Sequence, residues 1–249
     1  MHDRSVMLIM DRNISTALDA LESRNLEGIY AENRDEARLE VLRLIPQDGI
    51  VGIGDSTTVR QIGVIEALKR RRTKVLDGFE QGISKSLNLE RVRNSTICDI
   101  FLTGTNAITL DGRLVNVDGY GNRIAGMFHG HPMSIIVVGR NKLVENLDDA
   151  FHRIRSLIAP NHIRIRSVDL GGVMRETPCV TAGICSDCRS RDRACNVFSI
   201  IEGKPGATDI SVIIVDEDLG LAWDESWPKE RISGIIEEYK KFVWIPEFK

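Results

Sequence analysis

Four of the five cysteines, Cys179, Cys185, Cys188 and Cys195, fall within 17 residues in the pattern C-x5-C-x2-C-x6-C. Cysteines grouped this closely suit three chemistries. A redox dithiol needs only Cys185 and Cys188 and leaves the other two idle. A structural zinc takes all four as tetrahedral thiolates. An iron–sulfur cluster also takes all four. The spacing is neither the bacterial ferredoxin run nor two separated CxxC knuckles, so it leaves the occupant open. Arg175, Arg189, Arg191 and Arg193 stand among the cysteines. Zinc or an oxidised four-iron cluster on four thiolates carries a net charge of about −2, so the arginines suit either. Pro178 restrains the entry to this stretch, and Gly183 lets the backbone approach closely. The plainest alternative is a staple for a long irregular loop. Cys98 stands apart, just before an apolar run, and reads as a small buried hydrophobe.

A second group of polar residues lies upstream. Asn106, Asn116, Asp118, Asn122 and Arg123 supply donors, acceptors and a cation over a short span. Such a set suits a small substrate carrying a carboxylate and a hydroxyl. Asp111-Gly112 and Asp118-Gly119 are also turn signals, so part of the block shapes the chain. Lys142 follows an apolar strand and belongs at the same sheet edge. Asp118, Arg123 and Lys142 are the catalytic candidates, though no motif singles one out. Gly54, Ser56, Thr57 and Thr58 join a strand to a helix start, where amides and hydroxyls can hold an anion. The same residues serve equally as an N-cap. His129 and His131 form an H-x-H pair, more simply structural than metal-binding. Asp148 and Asp149 read as first-turn helix charges, and residues 70–72 as a basic helix end.

These residues need a scaffold. Residues 12–45 read as two helices, with Ile14, Ala17, Leu18 and Leu21, then Ala37, Val41, Leu42 and Ile45, at helical spacing and Pro46 as the stop. Short apolar runs at 49–54, 74–76, 99–103, 114–117, 134–138, 197–201 and 210–215 read as strands. Helices are expected at 59–72, near 122–128, from the Asn146 cap to a stop at Pro160, and at 228–242. Apolar strands alternating with amphipathic helices predict an α/β protein with an open, mostly parallel sheet. The expected organisation is an N-terminal helical cap at 1–46 and an α/β domain at 47–249 that includes the cysteine loop.

Composition limits the function. An apolar fraction of 42% with 28% charged residues is that of a soluble globular chain. Net charge −3 argues against a general nucleic-acid surface. No apolar run reaches the roughly 18 residues of a membrane span. The stretch at 6–10 is too short for a secretory signal, so a cytoplasmic location is expected. In a reducing compartment grouped cysteines favour metal or catalysis over disulfides.

The strings Thr177-Pro178-Cys179, Gly183-Ile184-Cys185-Ser186-Asp187-Cys188 and Arg193-Ala194-Cys195-Asn196 resemble the cysteine signature of the lactate-utilisation (LUD) domain family. Gly54-Asp55-Ser56-Thr57-Thr58 with Gly63 agrees with it. So do TGTNAIT at 103–109, DGRLVNVDGYGNR at 111–123 and VGRNKLV at 138–144. The resemblance covers most of residues 30–220. It implies a fold like ribose-5-phosphate isomerase A and the CoA transferases. It also implies a part in oxidation of lactate or a similar 2-hydroxy acid, beside iron–sulfur partner proteins. The cofactor it favours is an iron–sulfur cluster of the 4Fe-4S type, with zinc as the alternative. Two positions depart from the family pattern: Thr57 stands where Met is frequent, and His131 separates Gly130 from Pro132. No G-x-G-x-x-G follows a strand, so flavin or nicotinamide chemistry would belong to a partner. Two other functions compete: a non-redox enzyme acting on a small acid, phosphosugar or thioester through a substrate-binding cluster, and a regulatory module with structural zinc. Self-association into a homo-oligomer is left open.

Overall fold

The structure, a computed structural model, describes residues 11–246. The apolar stretch at 6–10 lies outside the described residues. Asp11 accepts a hydrogen bond from the Asn13 amide and starts α1 (Arg12–Ser23), whose buried stripe is Ile14, Ala17, Leu18 and Leu21. Asn33 caps α2 (Arg34–Leu44) in the same way. Both expected N-terminal helices are present, and the structure adds a strand between them, β1 (Glu27–Ala31). It pairs in parallel with the last strand and edges the main sheet.

The chain continues through β2 (Ile50–Ile53), α3 (Thr57–Gln61), α4 (Val64–Arg70), β3 (Lys74–Asp77), α5 (Lys85–Asn94) and β4 (Ile100–Gly104). The single helix expected over 59–72 is two, divided at Gly63, whose φ of +68° interrupts helical geometry. After β5 (Ala107–Thr109), β6 (Leu114–Asp118) and α6 (Asn122–Phe128) comes β7 (Met133–Gly139), then β8 (Leu143–Val144) and α7 (Leu147–Arg153). Next are α8 (Ala159–Arg164), α9 (Pro178–Ala182), β9 (Val197–Ile201), β10 (Asp209–Val215) and α10 (Lys229–Phe242).

Among the described residues, six parallel strands form the main sheet in the order β1-β10-β7-β4-β2-β3. This is the open parallel α/β architecture the sequence predicts. Alternate residues of β7 face opposite ways. Ile135 and Val137 join a core with α2, α3 and α4, while Ile136 and Val138 join a core with α1 and α6. A smaller sheet, β8-β5-β6-β9, stands beside it. Arg24 and Arg113 both bind Glu202 and tie α1 to the ends of this sheet.

Pro160 does not stop a helix. Residues 147–169 are one continuous rod in which α-helical stretches alternate with wider π turns at 154–158 and 165–169. The Ala159 amide reaches back five residues to the Ile154 carbonyl, and Pro160 falls at the start of α8. The widened turn gives the proline ring room and absorbs its missing N–H.

Candidate functional site

Chain order in the main sheet reverses between β2 and β4: the chain leaves β2 for β3 on one side and comes back to β4 on the other. In an open parallel sheet, ligands bind outside the strand C-termini at such a point. Gly54, Asp55 and Ser56 follow β2 there, and Thr105 and Asn106 follow β4. A side chain at Gly54 would come within 2.5 Å of Thr103 Oγ1, so only glycine fits. Ser56 Oγ accepts from the Val59 amide at 3.3 Å and is the N-cap of α3. Thr58 Oγ1 accepts from Lys142 Nζ at 2.8 Å, and the same ammonium reaches the Thr105 carbonyl at 3.0 Å.

Lys142 is only 6% exposed. Burial, and then the nearby Arg123 charge, bring its pKa down to about 7. Gly220 lies against it with φ +71°, and a Cβ there would stand 2.6 Å from Thr58 Oγ1 and 2.7 Å from Lys142 Nζ. Gly220→Ala is therefore expected to lower stability by about 1–3 kcal/mol through backbone strain and displacement of Thr58. A melting temperature equal to that of the parent would show that the contact is relieved without strain.

Arg123 is buried and bonded through both terminal nitrogens. Nη1 donates to the Gly104 carbonyl (2.9 Å) and Asn116 Oδ1 (3.0 Å), and Nη2 to Asn106 Oδ1 and the Val117 carbonyl (2.7 Å each). Asp118 Oδ2 accepts from the Arg123 and Ile124 amides, and its Oδ1 from Tyr120. The structure thus brings Asn106, Asn116, Asp118 and Arg123 together as a latch joining β4, β6 and the start of α6. Asn122, half-buried, opens α6. His129 is exposed, whereas His131 is buried, 2.7 Å from Ser134 Oγ and stacked on Phe101, so the two do not converge. Cys98 is buried, and burial raises its thiol pKa to about 11.

The four grouped cysteines are free thiols and line one pocket. Its other walls are Arg155, Pro160 and Ile163 from the rod, with Thr177, Arg193 and Phe198. Among the described residues, no three His, Cys, Asp or Glu side chains are gathered around a point as single-ion ligands. Arg193 hydrogen-bonds Cys195, which raises its own pKa, and donates from Nη1 to the Cys188 carbonyl. Its Nε is buried without a partner among the described residues. A soft four-thiol donor set, an apolar wall and an unspent guanidinium donor fit an anionic metal–thiolate group. Arg175 donates to the Asp192 carbonyl, while Arg189 and Arg191 point to the surface. Asn196 closes the loop onto the β6 turn, its amide on the Asp118 carbonyl and its Nδ2 on the Gly119 carbonyl, both at 3.0 Å. The thiol pocket therefore adjoins the latch.

Sequence reasoning missed Asp55 as a site residue, and with it His162, Arg166 and Tyr239. His162 Nδ1 lies 2.5 Å from the Tyr239 hydroxyl, and Arg166 Nη1 lies 3.3 Å from His162 Nε2. Burial, with Arg166 next, holds the His162 pKa well below its usual value. Burial pushes the Asp55 carboxyl up, against the pull of Arg166 and Arg60. The one local signal is the i,i+4 spacing of His162 and Arg166, which a helix ending at Pro160 conceals.

The sequence matches the family described as LUD domain over residues 14–215. No curated protein matches it. A DUF162 family protein from Deinococcus radiodurans, known from a crystal structure, aligns over 86% of this chain and 99% of its own, at 12% identity and a TM-score of 0.44.

Proposed function

The chain belongs to the LUD domain family, and from that premise we propose that it carries an iron–sulfur cluster of the 4Fe-4S type on Cys179, Cys185, Cys188 and Cys195 and serves in oxidation of lactate or a related 2-hydroxy acid. The observation that carries this reading is the single pocket lined by all four thiols. A cluster holds its four thiolates apart around a cube, whereas zinc draws them around one ion. Bound there, the cluster would supply one-electron transfer. The thiolates would ligate it, Arg193 would offset its charge, and Pro160, Ile163 and Phe198 would keep water from it. The substrate's place is the crevice beyond β2 and β4, beside Gly54, Ser56, Thr57, Thr58 and Lys142. The latch of Asn106, Asn116, Asp118 and Arg123, with Asn122 beside it at the start of α6, forms its rim and holds its shape. Partner proteins with iron–sulfur or flavin centres would receive the electrons. No helix among the described residues is long and apolar enough to cross a membrane.

Anaerobic purification tests the cluster directly. The expected sample is brown, absorbs near 400 nm and contains about four iron and four sulfide per chain. Cys188→Ser is expected to lose most of the iron and the absorbance while the main sheet stays folded by circular dichroism. A colourless parent protein with one zinc per chain would sink the cluster reading.

A further inference from the structure

The rod at 147–169 serves two neighbourhoods. Ala159, Pro160 and Ile163 line the thiol pocket, whereas His162 and Arg166, one turn apart, reach toward α10 and the end of β2. Arginine can only donate hydrogen bonds, so His162 Nε2 must accept from Arg166. The ring is then neutral, as its lowered pKa agrees, and Nδ1–H donates to the Tyr239 oxygen. The Tyr239 hydroxyl also hydrogen-bonds the Thr57 side chain, and the Asp55 charge acts on it. Arg166 lies over the Trp244 ring, its Cζ 5.5 Å from the centroid. Asp55, Thr57, His162 and Arg166 are each half-buried, around the buried Tyr239. Asp55 follows β2 directly, at the point where strand order reverses.

We propose that Arg166, Tyr239 and Asp55 form the recognition site for a small 2-hydroxy carboxylate, with Arg166 and the Tyr239 hydroxyl donating to the carboxylate and Asp55 accepting from the 2-hydroxyl. His162 is a positioning residue that fixes the direction of the Tyr239 hydrogen bond. This assignment rests on the substrate class proposed above and names the residues that read it. It also gives the site a preference. A 2-oxo acid has no hydroxyl proton for Asp55 and sets an oxygen lone pair against its carboxylate, and a plain carboxylic acid leaves Asp55 without a partner.

Calorimetric titration of the full chain with lactate, pyruvate and propionate tests the site. Lactate is expected to bind at least about 10-fold more tightly than either other acid, since a site built to bond a hydroxyl rejects analogues without it. Arg166→Gln is expected to weaken lactate about 10-fold or more, and Arg166→Lys to recover part of the loss. Tyr239→Phe keeps the ring and is expected to weaken lactate about 5- to 10-fold. Asp55→Asn is expected to remove the preference for lactate over pyruvate. Circular dichroism checks that each variant is folded, and Tyr239→Phe decides the matter if Arg166→Gln is not. Unchanged lactate affinity in the folded Arg166→Gln or Tyr239→Phe variant, or equal binding of lactate and propionate by the parent, overturns the assignment. Iron and sulfide measured on the same samples separate the two readings. A parent chain that binds lactate through these residues but holds no iron sinks the cluster and leaves this site standing. A chain with full iron that binds none of the three acids sinks the site.

Discussion

Lys142→Met is expected to raise the melting temperature at pH 7 by about 4–8 °C. The ordinary lysine pKa of 10.5 falls to about 7 in the folded protein, first because the ammonium is buried and then because Arg123 repels it. At 1.36 kcal/mol per pH unit this corresponds to roughly 4 kcal/mol of unfavourable free energy at neutral pH. The hydrogen bonds to Thr58 and Thr105 that methionine cannot make offset about half of the gain. At a domain of this size each kcal/mol moves the melting temperature by about 2–4 °C. The sign follows from proton binding. Between about pH 7 and 10.5 the unfolded chain holds a proton on Lys142 that the folded chain does not, so parent stability rises with pH across that window. Below about pH 7 both states are protonated and the full penalty is present. The methionine variant lacks this slope. Denaturant unfolding at pH 7, 8.5 and 10 measures it, and parallel pH dependence in parent and variant would exclude Lys142 as the titrating group. A buried lysine retained at such a cost, where the sheet's strand order reverses, points to work that methionine would not do.

Arg123→Ala is expected to have the opposite and larger effect, a loss of about 3–5 kcal/mol and a melting temperature lower by about 10 °C. The guanidinium bonds Gly104, Val117, Asn106 and Asn116 at once. Without it the Gly104 and Val117 carbonyls lose a charged donor and its cavity is left empty, while Asn106 Oδ1 keeps only the Val117 amide and Asn116 Oδ1 only the Thr105 hydroxyl. Arg123→Lys is expected to restore little, because one ammonium cannot span acceptors on β4 and β6 together. Thermal unfolding followed by circular dichroism reads the effect. A stable Arg123→Ala protein that had merely lost carboxylate affinity would return Arg123 to the role its sequence neighbourhood suggests, that of a direct ligand contact.

That contrast shows what local sequence can convey. Apolar periodicity marked α1, α2, β4, β7 and β10 because those elements bury a face or both faces in the core. The strand β1 escaped notice because it is an edge strand with a single fully buried residue, Ala31, and so carries little apolar pattern. Pro160 reads as a stop because the chemistry of proline is local, while the π turn that accommodates it is a response of the whole rod. The cysteines are legible because a four-thiol site can be built from 17 consecutive residues. The Asn/Asp/Arg block is visible as polar, yet whether those groups face a ligand or one another depends on β4 and β6 meeting, which their spacing does not state. Asp55, His162 and Tyr239 come together from three distant parts of the chain, and no window of sequence contains them.

The thiol loop leaves the packed structure at Thr177, which is buried, and returns at Asn196, which is bonded to the β6 turn. No strand of the main sheet contributes a thiol to the pocket. A group held by the four thiols would therefore cross-link one short closed segment and restrain mainly the conformational entropy of that segment. Filling and emptying become a local opening event rather than a folding event. Hydrogen exchange would show it as amides of 178–196 that are protected when the pocket is filled and exchange within seconds when it is empty, while those of β7 open only with the whole protein. A protein arranged in this way can be assembled first and loaded afterwards, and stripped and reloaded without refolding.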